Sequence, residues 1–224
     1  MNKKRWVVGL IFLFFVISCN NDSRNASVAK KSNEKKETAN KIKTIIFFGN
    51  SLTAGYGLEP SQAFPALIQK KIDSLSLNYK TVNAGVSGET TSGGNSRIDW
   101  ILRQPIDVFV LELGANDGLR GIPITETKGN LQSIINKVRN TYPDAKIILA
   151  GMQIPPNMGQ KYTSEFRAIY PELATKNDIT LIPFILEGVG GEEKLNQEDG
   201  IHPTEEGHRM IAENIWGVIK DIVI

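Results

Sequence analysis

Three side-chain types that can together break an acyl bond stand at two places in this chain. Ser51 lies in Gly49-Asn50-Ser51-Leu52-Thr53-Ala54-Gly55, a glycine-flanked turn directly after an apolar run. Asp199 and His202 lie in Asp199-Gly200-Ile201-His202-Pro203, near the C-terminus. A serine hydroxyl is a weak nucleophile and needs a base beside it. The chain has only two histidines, so that base is His202 or His208. His208 falls inside a helical segment, where a packing or solvent-facing role is the expectation. Asp199 precedes His202 by three residues in a loop held by Gly200 and Pro203. That spacing lets the carboxylate fold back onto the imidazole, orient it and stabilise its cation. Other roles fit these residue types: Ser51 as a turn or helix-capping serine, Asp199 as a helix-entry cap. Thr204 can supply that second cap instead. A metal reading of Asp-x-x-His is weak because the chain offers no set of His or Cys partners to complete a site, so neither a metal nor a cofactor is expected.

An oxyanion formed by attack on a carbonyl needs hydrogen-bond donors as well as a nucleophile. Two further blocks offer them. Asn83-Ala84-Gly85-Val86-Ser87-Gly88-Glu89-Thr90 follows one apolar run, and Gly88, lacking a Cβ, can present its backbone N–H at close range. Gly114-Ala115-Asn116-Asp117-Gly118 follows another, and Asn116 can present its side-chain amide. Glycines and Asn-Asp pairs mark turns everywhere. Their weight comes from their position after successive strands.

Those strands are legible from the pattern. Apolar runs at 44–48, 81–84, 108–113, 146–150 and 180–184 read as strands. Segments 63–75, 91–102, 125–140, 163–176 and 204–222 read as helices, with Leu131, Ile134, Ile135 and Val138 sharing one face of the third. Strands and helices alternate, and the strands are nearly continuous apolar runs. This predicts an α/β domain: a doubly wound, flavodoxin-like, five-stranded parallel sheet with helices on both faces. Ligands of such sheets bind outside the carboxyl ends of the strands, which is where the Ser51, Gly88 and Asn116 blocks stand, while the Asp199–His202 block lies just before the final helix.

The blocks, taken in order, resemble those of the SGNH hydrolases, also called GDSL hydrolases. Ser51, Gly88, Asn116 and His202 match the four named positions of that family, and Asp199 matches its acid. The resemblance spans essentially residues 44–222. It is strongest to periplasmic multifunctional acyl hydrolases of thioesterase, arylesterase and lysophospholipase type, through Glu112-Leu113-Gly114-Ala115-Asn116-Asp117-Gly118-Leu119-Arg120-Gly121 and Ala168-Ile169-Tyr170-Pro171-Glu172-Leu173-Ala174. It implies hydrolysis of acyl esters or thioesters through an acyl-serine. Ser51, Asp199 and His202 would be the catalytic residues. The N–H groups of Ser51 and Gly88 and the Asn116 amide would form the oxyanion hole. It also implies broad acyl specificity. Two positions depart from the family pattern: Asn50 stands where Asp is usual, and Ala115 where this subgroup has Gly. Asn50 keeps the size and hydrogen-bonding reach of Asp without its charge. A carbohydrate O-acetyl esterase and a non-catalytic surface lipoprotein are the rival expectations.

The N-terminus reads differently. Lys3, Lys4 and Arg5 precede an apolar run of 13 residues, Trp6 to Ser18, and then the only cysteine, Cys19. The run is too short to span a bilayer as a helix, yet it suits a signal-peptide core. Val16-Ile17-Ser18-Cys19 resembles a bacterial lipobox, with Val16 where Leu is usual. The expected organisation is a lipoprotein signal peptide at 1–18, a lipidated Cys19 with a polar linker to residue 43, and the hydrolase domain from 44 to 224. The linker is rich in Lys, Asn, Ser and Glu and lacks the apolar residues needed to fold. The expected location is the bacterial cell envelope, tethered by lipid. A single cysteine allows no disulfide within the chain. Residues 1–43 carry ten Lys/Arg against three Asp/Glu, so the remainder carries 16 against 21. The domain itself is mildly acidic, which argues against nucleic acid as a partner. A monomer acting on a small acyl ester or thioester is the expectation.

Overall fold

The computed structural model describes residues 41–224. The expected leader, Cys19 and nearly all of the linker lie outside the described residues. β1 (Lys43–Gly49), β2 (Tyr79–Gly85), β3 (Val108–Glu112), β4 (Lys146–Ala150) and β5 (Thr180–Ile182) form one sheet in the order β2-β1-β3-β4-β5. Every pairing is parallel. The chain starts inside the sheet, at β1, winds out to β2, then returns past β1 and continues the other way. The carboxyl ends of β1 and β3, where the winding reverses, are therefore the switch point at which such sheets open a crevice.

The helices are α1 (Ser51–Ala54), α2 (Phe64–Ser74), α3 (Thr91–Ile101), α4 (Ala115–Leu119), α5 (Ile124–Thr141), α6 (Gln160–Asn177) and α7 (Glu205–Val223). Side chains alternate across a strand, and β1 shows the consequence. Phe47 packs edge-on against Phe64 of α2, with ring centroids 5.4 Å apart. Its neighbour Phe48 meets Phe109 of β3 at 5.5 Å and the Arg97 guanidinium of α3 at 4.0 Å. α2 and α7 pack together; α3 packs on α5, and α5 on α6. With residues 45–48 and 108–111 buried, the central strands need apolar side chains on both faces. Each is worth about 1.5–3 kcal/mol when taken out of water.

Differences from the pattern reading are local. β5 stops at Ile182 rather than at 184, because Pro183 has no N–H to donate to a ladder. The segments after β1 and β3, read as turns, instead open short helices. Thr204 caps α7, its hydroxyl accepting from the Gly207 N–H. That leaves the Asp199 carboxylate free of the capping role. Among the described residues, no helix is long and apolar enough to cross a membrane.

Candidate active site

β1 delivers Ser51 to the carboxyl edge of the sheet. Gly49 ends the strand at a point where a Cβ would run into Thr53 and Glu112, so only glycine lets the chain turn there at once into α1. Asn50 caps that helix, its Oδ1 accepting from the Leu52 N–H at 2.9 Å. Ser51 thereby becomes the first helical residue, with 8% of its surface exposed.

The loop before α7 brings in the other two groups. Gln197 N–H donates to the His202 carbonyl at 2.7 Å, and Gly200 N–H to the Gln197 carbonyl at 2.8 Å. Within this tight loop Asp199 Oδ1 accepts the N–H groups of Ile201 and His202, both at 2.9 Å. Asp199 Oδ2 lies 2.6 Å from His202 Nδ1. These three hydrogen bonds, the one from the imidazole foremost, hold the Asp199 carboxyl down at about 2. It is therefore ionised, accepts from Nδ1–H, and leaves Nε2 as the acceptor. Ser51 Oγ lies 2.9 Å from Nε2, so its O–H donates there. Asp199, His202 and Ser51 thus stand in one hydrogen-bonded row, although Ser51 and His202 are 151 residues apart in sequence. The Gln197 side chain ties the two loops together, donating to the Tyr56 carbonyl at 2.8 Å. The Tyr56 ring lies against the His202 ring, with centroids 4.4 Å apart.

The two remaining blocks arrive on the same edge. Gly88 has φ +78°, a left-handed conformation that favours glycine. Its carbonyl is turned toward Arg120, which donates to it at 3.0 Å. Asn116 stands in the first turn of α4, and one of its two amide protons goes to the Glu89 carbonyl at 3.0 Å. This bond fixes the amide and leaves its second proton unengaged among the described contacts. Glu89 in turn forms a two-point ion pair with Arg97 (2.6 and 2.5 Å). The same guanidinium donates to the Ala84 carbonyl at 2.8 Å. The turn carrying Gly88 is therefore clamped to the end of β2 and to α3.

His208 is not part of this row. It is buried, its Nδ1 accepts from the Phe64 N–H at 3.2 Å, and its ring stacks on Phe64. Burial, helped by the charge of His202, lowers its pKa to about 4. Of the packing and solvent-facing roles expected for it, packing is the one observed.

Pattern reading passed over Glu112. This last residue of β3 lies inside the protein, beneath α1. Its Oε2 accepts from Thr53 Oγ1 (2.7 Å), Thr53 N–H (3.2 Å) and Asn50 N–H (3.2 Å). Its Oε1 accepts from Asn50 Nδ2 at 2.9 Å. Burial pushes its carboxyl up to about 7 against the pull of these donors. The available signal was a lone glutamate in the apolar string VFVLEL, where a buried charge needs partners. Asp117 is a second buried carboxylate, accepting from the Thr91 N–H at 2.8 Å and joining α3 to α4. Among the described residues no cluster of His, Cys, Asp and Glu suits a metal ion.

Comparison with known proteins agrees with this fold. Residues 47–210 match the model of the GDSL-like lipase/acylhydrolase family. Esterase TesA of Pseudomonas aeruginosa is 39% identical over 181 residues, which is 80% of this chain and 89% of that protein. Thioesterase 1/protease 1/lysophospholipase L1 of Escherichia coli K12 is 39% identical over 171 residues, 76% of this chain and 80% of that protein. A crystal structure of TesA superimposes with a TM-score of 0.77 at 39% identity, covering 80% of this chain and 99% of that one.

Proposed function

This chain belongs to the GDSL-like lipase/acylhydrolase family and is a carboxylic ester hydrolase; on that premise we propose that Ser51 is its nucleophile, His202 its general base and Asp199 the acid that orients the base. The observation that carries this reading is the row of two contacts, 2.9 Å from Ser51 Oγ to His202 Nε2 and 2.6 Å from His202 Nδ1 to Asp199. His202 takes the Ser51 proton as Oγ attacks the acyl carbonyl. Asp199, ionised at every working pH, stabilises the resulting imidazolium. The tetrahedral oxyanion is held by the N–H groups of Ser51 and Gly88 and by the free proton of the Asn116 amide. His202 then protonates the leaving alkoxide or thiolate, and water, activated by the same imidazole, releases the acid.

An acyl substrate with an apolar chain or aryl leaving group fits the surroundings. Each of the four blocks brings one exposed apolar side chain to the sheet edge: Tyr56, Val86, Leu119 and Ile201. The Ile122 and Met158 segments also close on one another, with Tyr162 Oη donating to the Ile122 carbonyl at 2.6 Å. An apolar rim around a few convergent polar groups suits an acyl ester or thioester. Ser51→Ala is expected to abolish p-nitrophenyl ester hydrolysis and labelling by a fluorophosphonate probe. Full activity in that variant would remove Ser51 from the mechanism. In a chain-length series, activity extending beyond acetyl esters is the expected result.

The lipobox-like Val16-Ile17-Ser18-Cys19 supports a further assignment, that Cys19 carries a lipid and tethers the enzyme, as a monomer, to the bacterial envelope. Wild-type protein should then partition into a detergent phase and Cys19→Ser into the aqueous phase; equal partitioning would exclude the anchor.

A further inference from the structure

Glu112 sits one layer beneath the nucleophile and has no place in the reaction as described. It is 1% exposed. All four of its hydrogen bonds run to Asn50 and Thr53, the residues on either side of Ser51 and Leu52. Every one of those partners is a donor. The arrangement therefore requires a carboxylate that only accepts, and the Asn50 amide must point its Nδ2 at Glu112. That orientation in turn points Asn50 Oδ1 at the Leu52 N–H, the cap of α1, and places it 3.5 Å from Ser51 Oγ.

We propose that Glu112 is a positioning residue for Ser51: with Asn50 it forms a carboxylate–amide pair of one negative charge, and taking up a proton on Glu112 turns the amide over and removes the cap that holds the nucleophile. The proposal rests on Ser51 being the nucleophile.

The hydrogen-bond inventory dictates the turn. Two of the three bonds that Oε2 accepts come from backbone N–H groups, which cannot turn to accept, whereas Oε1 accepts only one bond, so Oε1, which faces Asn50 Nδ2, is the favoured site of the proton. Two donors then oppose each other. Rotating the amide by half a turn gives the new O–H an acceptor in Oδ1, and presents Nδ2 to the Leu52 N–H, which is again donor against donor. A proton on Oε1 and the helix cap are thus mutually exclusive. Burial has already raised the Glu112 carboxyl to about 7, so the exchange falls within the working range.

Other groups around Glu112 do not offer an alternative partner. From α6 the Tyr170 phenol donates to the Leu113 carbonyl at 3.1 Å and stays neutral, its pKa raised well above the ordinary value by burial first and by the Glu112 charge second. Asp117, which also acts on Tyr170, is engaged with Thr91 of α3. From α3 the Arg97 guanidinium reaches the Gly49 carbonyl at 3.4 Å and is neutralised by Glu89. On α1 and its cap the facing groups are Asn50 and Thr53, neither of which titrates; the Thr53 hydroxyl can accept only a proton on Oε2, the oxygen at which the Asn50 and Thr53 N–H groups both point.

The test is the pH profile of kcat and KM from about pH 5 to 9 for wild type, Glu112→Gln, Asn50→Asp and the exchange variant Asn50→Asp/Glu112→Gln. Glu112→Gln is locked in the turned form. Its kcat should fall at least roughly tenfold with KM within about twofold, because the residue does not meet substrate. The exchange variant again holds one carboxylate and one amide. The carboxylate, now on the capping side, accepts from both the introduced amide and the Leu52 N–H. It should recover to within about threefold of wild type. Asn50→Asp puts two carboxyls in contact, so one keeps a proton without loss of the cap. Its profile should lose activity on the alkaline side rather than the acid side. An exchange variant no better than Glu112→Gln, or an Asn50→Asp profile superimposable on wild type, overturns the proposal even if Glu112→Gln fails to fold. Fluorophosphonate labelling of wild type at about pH 8 separates the two layers. Label on Ser51 with unaltered profiles removes only the role of Glu112, whereas absence of label removes the nucleophile as well.

Discussion

Replacing His208 by Asn removes one of two buried groups whose proton affinities pull folding stability in opposite directions. The His208 pKa falls from 6.5 in the unfolded chain to about 4. Its contribution is therefore complete above pH 6.5 and is lost as pH falls toward 4. The Glu112 pKa rises from 4.5 to about 7. Its contribution is complete below pH 4.5 and is lost as pH rises toward 7. Each change corresponds to about 3 kcal/mol over its full span, and between pH 6.5 and 4.5 each delivers about 2 kcal/mol of opposite sign. Asp199, held at about 2, contributes outside this window. Wild-type stability should therefore owe almost no net slope to the two buried groups. His208→Asn keeps an acceptor for the Phe64 N–H and leaves Glu112 unopposed, so relative to wild type it should gain about 2 kcal/mol as pH drops from 6.5 to 4.5. Glu112→Gln leaves His208 unopposed and should lose a similar amount relative to wild type. The assay is urea unfolding followed by circular dichroism at about pH 6.5, 5.5 and 4.5. With a denaturant slope of about 2 kcal/mol per molar, each variant's midpoint should move by about 1 M against wild type, in opposite directions. Three parallel midpoint curves would refute the linkage, because no stability difference between these chains would then depend on either proton.

Two further outcomes concern the reaction itself. Asn116→Ala removes the amide proposed to face the oxyanion, and kcat should fall by roughly 10²–10³. The lost bond to Glu89 should cost about 1 kcal/mol of stability, so unchanged kcat with lowered stability would mark a purely structural residue. Asp199→Asn presents a donor where His202 Nδ1–H needs an acceptor, favouring the wrong tautomer. A drop in kcat on the order of 10³–10⁴ is expected, read by steady-state kinetics at saturating ester, and a drop below about tenfold would remove Asp199 from the row.

Much of the fold was legible because it is encoded locally. The apolar string TIIFF is too short and too uniformly apolar to be anything but a buried strand, and Leu131, Ile134, Ile135 and Val138 repeat at the helical period. Alternation of such segments implies a parallel sheet, and a parallel sheet implies chemistry at the carboxyl ends of its strands. The positions of the Ser51, Gly88 and Asn116 blocks directly after strands were therefore enough to place those three on that edge. The short helices after β1 and β3 were read as turns because glycine-rich strings carry no periodicity.

What only the tertiary structure decided concerns partners far apart in the chain. Composition marks Glu112 as an oddity in an apolar strand, but the donors that satisfy it come from Asn50 and Thr53, about sixty residues away. Nothing within a turn of His208 signals that Phe64 will supply its backbone N–H. Ser51 and His202 are 151 residues apart, and their 2.9 Å contact lies beside a second one between the same loops, from the Gln197 side chain to the Tyr56 carbonyl. Residue types and their order along the chain pointed to the residues proposed as nucleophile, base and acid, since those proposals follow from side-chain chemistry. Burial sets how tightly each of the other groups holds its proton, and burial is a property of the packed molecule, because the dielectric around a side chain is made by residues that sequence distance does not bring near.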